Sequence, residues 1–174
     1  MWGRERRAGS WAGDALLGAL GGLAASWVMD RVQASVLQRL GTEETRRSER
    51  EASGSGEPAT YRAAEALARP FGIPLDGRRK ALGAEVVHYA TGAGWGALYG
   101  IAEHRLGWPT LLSGVAFGAL VFALGDELIV PLLGWAGGPR RYPASVHGKA
   151  LAAHLVYGAS TAGAWRTLSG ALHL

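Results

Sequence analysis

The sequence has no cysteine, so no disulfide can form, and cysteine usage cannot separate an oxidising from a reducing compartment. From Trp108 to Gly125 there is not one formal charge. No stripe of Arg and Lys with interleaved aromatics runs along the chain, which argues against a nucleic-acid partner despite a net charge of +4. Nor is there a P-loop, a dinucleotide-binding glycine fingerprint, a G-x-S-x-G elbow or an H-E-x-x-H pair, and the reading leans away from an enzyme.

What is present is glycine (27) and tryptophan (7) in a chain of 174 residues, the length of one ordinary domain. The mean hydropathy of +0.07 looks soluble, but it averages two materials. Nine of the 18 basic residues and seven of the 14 acidic ones fall between Arg39 and Lys80. The remainder reads as four apolar blocks, near Trp11–Met29, Val86–Ala102, Trp108–Leu133 and Ala150–Trp165. A bilayer-crossing helix needs about 20 mostly apolar residues, and each block is close to that. None shows the Lys or Glu every third or fourth residue that wets one face of a soluble helix. Tryptophan and tyrosine sit near block ends (Trp11, Tyr99, Trp108, Trp135, Tyr142, Trp165), the positions of an interfacial belt.

The expected fold class is therefore all-α, an integral membrane four-helix bundle in one domain. Its helices should cover about 11–36, 84–103, 109–133 and 146–170. A Gly/Ala-rich soluble bundle is the alternative. A second alternative concerns the N-terminus, where "MWGRERR" and the apolar stretch ending "LAAS" resemble a cleavable signal peptide. Asp14 within that stretch counts against cleavage.

Residues 40–79 form a polar insert between the first two helices. "GTEETRRSEREASGSGEPAT" is too polar to bury a core and is expected to be partly disordered. The next stretch carries a short helical pattern ended by Pro70 and Pro74. It reads as a solvated connector, or else as a segment that lies at the membrane surface or covers the mouth of the bundle. Arg39, Arg78, Arg79, Lys80, Arg140, Arg141 and Lys149 lie on one side, and Arg4, Arg6, Arg7, Arg105 and Arg166 on the other. The positive-inside rule leans towards both termini outside.

The blocks also match each other. Gly18, Gly22 and Asp30 fall on Gly114, Gly118 and Asp126 with the same spacing, and "HYATGA" falls on "HLVYGA". Two tandem two-helix repeats in parallel orientation are the expected internal organisation. Residues four apart share a helix ridge. The ridges read Gly18-Gly22-Ser26-Asp30, His88-Gly92-Gly96-Gly100, Gly114-Gly118-Phe122-Asp126 and His154-Gly158-Ala162-Arg166. Small residues four apart let helices approach closely in lipid.

Asp30 and Asp126 come late in helices running one way, while His88 and His154 come early in helices running the other. All four should approach the same face. A charge at bilayer depth costs about 2.5–3.5 kcal/mol on insertion scales, so such residues turn inward and find partners. Pro131 cannot donate to the carbonyl of Glu127, leaving an acceptor beside Asp126 and Glu127. A metal site would draw on His88, His154, Asp30, Asp126, Glu127 and Glu85. Glu85 and His88 form Glu-x-x-His, although Leu151 stands where a second such Glu would complete a di-iron pattern. The two histidines on facing helices are alternatively a haem clamp. His147 and His104 read as interfacial or loop residues.

"GAEVVHYATGAGWGALYGIAEHRLG", "GDELIVPLLG" and "HGKALAAHLVYGAS" together resemble the YagU-like family of small bacterial inner-membrane proteins, over roughly residues 83–165. His88, Tyr99, Gly100, Asp126, Glu127, Pro131, His154 and Gly158 match its signature. The resemblance implies a multi-spanning bacterial inner-membrane protein and carries over no catalytic residue. Three functions compete on the residues alone. One is a membrane packing or interaction module, with the bilayer and a homo-oligomer or membrane-protein partner as neighbours. The second is a proton- or ion-responsive, transport-related site, since His titrates near neutral pH and adjacent carboxylates move it. The third is metal or haem binding.

Overall fold

The protein is known from a computed structural model that describes residues 11–37, 39, 42–54, 56–106 and 108–172. The signal-peptide reading, Arg4, Arg6 and Arg7 lie outside the described residues, as do the side chains of His104 and Arg105. The described chain is all-helical. Helix α1 spans Trp11–Val32 and runs on as a π turn over Gln33–Leu37. Helices α2 (Glu43–Ser53) and α3 (Ala59–Ala68) occupy the insert, and α4 covers Gly77–Leu106. Helix α5 (Thr110–Val121) continues through a π segment, Phe122–Ile129, to a last turn at Val130–Leu132, and α6 covers Ala144–Ala171.

Proline sets several helix starts. Pro58, Pro109 and Pro143 stand immediately before α3, α5 and α6, each with φ near −60° (−60°, −56°, −62°) and an extended ψ. A proline there costs little, because the first amides of a helix have no partner within it. Pro131 acts at the other end. It has no amide for the Glu127 carbonyl, and the helix has already widened: the Val130 amide bonds to Gly125, five residues back. Gly134, at φ 72°, then closes it. The Gly134 amide donates to Pro131 and the Trp135 amide to Val130, the double bond of a glycine-capped helix C-terminus.

The four long helices pack in the order α4, α1, α6, α5. Helix α1 lies against both α4 and α6, α5 lies against α6, and α4 scarcely touches α5. Glycine makes two of these contacts. A Cβ on Gly22 would meet the Gly92 carbonyl oxygen at 2.2 Å, and one on Gly96 would meet that of Gly18 at 2.3 Å. In the α5–α6 pair, a Cβ on Gly158 would meet the Gly114 oxygen at 2.1 Å, and one on Gly118 the His154 oxygen at 2.2 Å. Both pairs thus use the ridges read from the sequence. They do so one turn out of step with the sequence match, because Gly118 faces His154 where Gly22 faces Gly92.

Two helices, Trp11–Val36 and Thr110–Leu132, are long and apolar enough to cross a membrane. Helices α4 and α6 are long enough, but Gly, His, Tyr and Trp dilute their apolar residues. The aromatic belt needs a correction. Tyr99 and Trp165 are buried at 3% and 8% exposure, and pack with Leu17 and Ala162 in the interior. Tyr99 turns inward because its hydroxyl lies 2.9 Å from Ser113 Oγ. Trp11 and Trp108 do stand exposed at the starts of α1 and α5.

The insert differs from expectation as well. Helix α2 carries the ion pairs Arg46–Glu43 and Arg47–Glu51, the three- and four-residue spacings that support an exposed helix. Helix α3 is not a solvated connector: it packs on α4 and buries Ala63 and Ala64. Lys80 fixes it, with Nζ 2.7 Å from both Glu57 Oε2 and Glu65 Oε1. Helix α4 starts at Gly77, well before its apolar block, with the Arg79 and Lys80 amides both donating to the Asp76 carbonyl.

Candidate functional site

Where α4 and α5 part, a cavity of about 820 Å³ opens between the long helices. Asp30 from α1, His88 from α4, Asp126 from α5 and His154 from α6 all line it, so the four polar ridge ends share one space. Ser26, Gly92, Trp95 and Tyr157 lie deeper along it, and Pro58, Ala59, Thr60, Tyr61 and Ala63 with Trp135 border it on the insert side. Helix α3 therefore covers the mouth.

The four groups form two pairs. His88 Nε2 lies 3.1 Å from Asp30 Oδ1, an ion-pair distance without hydrogen-bond alignment. The Tyr89 hydroxyl donates to the other Asp30 oxygen at 3.1 Å. In the second pair His154 Nδ1 lies 3.7 Å from Asp126 Oδ2. That nitrogen donates instead to the Ala150 carbonyl at 2.9 Å, so Nδ1 carries a proton. Asp126 sits within the π segment, where the widened backbone rotates its side chain towards α6. Neither carboxylate is sealed in protein: 43% of the Asp30 and 44% of the Asp126 side chain remains accessible. The pairs are thus loose contacts around a space, not a closed polar knot.

The remaining candidates are placed elsewhere. Glu85 lines the cavity one turn before His88 and is exposed. Glu127 faces away from the cavity lining and pairs with His147, Nδ1 to Oε1 at 2.6 Å, while His147 Nε2 lies 3.0 Å from the Pro139 carbonyl. The Glu127 hydrogen bond raises the His147 pKa above its ordinary value, outweighing the opposing effect of burial, and the Pro139 carbonyl adds to the rise. Among the described residues no three His, Cys, Asp or Glu side chains are grouped to hold a metal ion. The six-residue metal set is thus split between two His–Asp pairs, an exposed Glu85 and a Glu127–His147 bridge.

Several contributors escaped the sequence reading. Tyr157 is buried, and its hydroxyl donates 2.6 Å to the Gly92 carbonyl, tying α6 to α4 beneath the cavity. Trp95 packs on the cluster of Ala25, Met29, Val121, Ala153 and Tyr157. The visible signal was Tyr157 inside "HLVYGA", three residues after His154 and so on nearly the same face. Glu103 is buried near the other end of α4, with Oε2 unpartnered among the described residues. Compared with models of protein families, with curated proteins and with solved structures, the chain matches none.

Proposed function

We propose that this chain is a multi-spanning protein of a bacterial inner membrane, with α1, α4, α5 and α6 crossing the bilayer, and that its two Asp–His pairs form a proton-responsive site. The membrane part is supported by an inverted distribution of side chains. The buried residues of α1 include Asp14, Gly18, Gly21, Gly22 and Ser26, while Leu16, Leu20, Leu23 and Trp27 are exposed. On α5 the buried residues are Ser113, Gly114, Gly118 and Val121, with Leu111, Leu112, Leu120, Leu124 and Leu128 outside. Only 11% of the most apolar stretch of Thr110–Leu132 is buried. A water-soluble bundle with that surface would expose far more contiguous apolar area than soluble monomers carry. In lipid the same surface is matched, and small residues inside let the helices touch.

The observation that carries the site is the convergence of Asp30–His88 and Asp126–His154 on one cavity. Imidazole is the side chain whose ordinary titration lies nearest neutral pH, and two of them stand here beside carboxylates in an accessible space. Protonation draws each pair together, and deprotonation releases it. A role in packing alone would favour sealed pairs. The resemblance to the YagU-like family agrees with the membrane reading and adds no chemistry.

Two measurements test this. Reporter fusions after residues 56 and 172 should lie on opposite sides of the membrane; the same side for both rejects four crossings. Tryptophan fluorescence of purified protein should titrate near neutral pH, since Trp95 and Trp135 border the cavity. His88→Ala and His154→Ala together should remove that transition. If the doubly substituted, folded protein keeps the wild-type curve, the site is inert.

A further inference from the structure

We infer that the cavity binds a lipophilic organic cation. The inference rests on the cavity being a functional site of a membrane protein, as proposed above, and adds the class of ligand. Charge comes first. Three carboxylates line the cavity, Asp30, Glu85 and Asp126, against one permanently charged base, Arg78. With the histidines neutral, the lining is net acidic, although the whole chain is net positive by four charges. The site therefore opposes the charge of the molecule that carries it.

The second argument is the wall. Trp95, Trp135, Tyr61, Tyr89 and Tyr157 line the same space. Ring faces attract cations, most strongly where water is excluded, and aromatic-lined sites take quaternary ammonium groups that have no hydrogen to donate. A small hydrated metal ion gains little from such a wall, and no three ligands are grouped for one among the described residues. An anion meets three carboxylates. The volume, about 820 Å³, falls among those of small-molecule sites.

The third argument is access. Helices α4 and α5 scarcely touch, and the cavity lies where they part. At that gap Ile129 of α5 and Leu82 of α4 line the cavity and are exposed. An amphiphile dissolved in the bilayer reaches the carboxylates past apolar side chains, without crossing the charged insert. A free polar cation has no such path.

The test uses the full chain purified in detergent and two ions of nearly the same shape and opposite charge, tetraphenylphosphonium and tetraphenylborate. Calorimetric titration should show saturable binding of the phosphonium with about one site per chain, and at least tenfold weaker binding of the borate. Asp30→Asn with Asp126→Asn should weaken the phosphonium tenfold or more. Should that variant fail to fold, Glu85→Gln changes an exposed side chain and should still weaken binding about threefold. Equal binding of both ions, or wild-type affinity in the folded variants, overturns the inference. The ligand-free fluorescence titration separates the two proposals. A pH transition without phosphonium binding rejects the cation alone, and the loss of both rejects the site.

Discussion

His147 stands between two acceptors, with Nδ1 2.6 Å from the Glu127 carboxylate and Nε2 3.0 Å from the Pro139 carbonyl. A neutral imidazole has one N–H and can satisfy only one of them while Glu127 is ionised; an imidazolium satisfies both. The bridge thus joins the end of α5 to the first turn of α6, ahead of the apolar block that begins at Ala150, and it favours the charged ring.

A pH dependence follows with a definite sign. The folded-state pKa of His147 is raised above its unfolded value of about 6.5. Its stabilisation is fully present below the unfolded value and is lost as pH rises through the folded one. The difference in melting temperature between wild type and His147→Asn should therefore be largest at about pH 6 and shrink by pH 9. Thermal unfolding in detergent measures it. A difference that stays constant over that range would mean the bridge does not depend on the proton.

The glycines of α4 make an internally controlled series. A Cβ on Gly96 would meet the Gly18 oxygen at 2.3 Å and Gly22 Cα at 2.8 Å, so the backbones of two helices must separate. At Gly94, two residues earlier, an added Cβ meets nothing within 4 Å. Gly96→Ala should destabilise by about 1–3 kcal/mol, the usual range for overpacking, or more if the helices part. Gly94→Ala should be neutral or stabilising by up to about 1 kcal/mol, from helix propensity alone. Equal effects at both positions would show that α1 and α4 are not in contact there.

Much of this geometry was legible because helix periodicity is strict. Four-residue spacing marked the glycine ridges as surfaces of close approach without saying which ridge meets which, and helix direction brought Asp30, His88, Asp126 and His154 to one face. What the sequence does not encode locally stayed hidden. His147 reads as a loop residue because its partner, Glu127, is 20 positions away on another helix. Tyr99 and Trp165 have the composition of an interfacial belt, and only the packing of α1, α4 and α6 reveals that they face inward. The first part of the insert is charged enough to look unstructured, yet it holds α2; the helical pattern before Pro70 was legible as α3, and only its packing through Ala63, Ala64 and Lys80 was not. The spacing match between the halves is real in the ridges, but close packing at different side chains slips it by a turn.

Tyr157 offers a measure of the polar ties between helices. Its hydroxyl is buried and donates 2.6 Å to the Gly92 carbonyl. Phenylalanine keeps the ring and removes the bond. A carbonyl inside a helix also accepts from its own backbone, so no orphan acceptor remains. Interhelical hydrogen bonds in membranes average about 0.6 kcal/mol and reach about 1.7. Tyr157→Phe should fall in that interval. A loss above about 3 kcal/mol would mean that the hydroxyl organises the cavity floor and does more than tie α6 to α4.

Lys80 gives the last prediction, about the cover of the cavity. Its ammonium meets Glu57 and Glu65 at 2.7 Å, its side chain is 15% exposed, and the two carboxylates belong to α3 and the residues leading into it. Both partners raise the Lys80 pKa, Glu57 more than Glu65, so at neutral pH the ammonium is charged and the bridge is made wherever the carboxylates are ionised as well. Apolar contact beneath α3 is thin: Ala63 and Ala64 are its buried residues, with Ala64 seated against the bare face of Gly83. Removing the lysine should therefore release α3 without unfolding the long helices. In Lys80→Gln, amide hydrogen exchange over residues 59–68 should speed up at neutral pH, while the melting temperature of the whole protein stays near the wild-type value. Gly83→Ala, which crowds Ala64 from below, should act on the same amides. If exchange in α3 is unchanged in both variants, the cover is held by something other than these contacts. If instead the melting temperature falls with it, α3 and the long helices unfold as one unit.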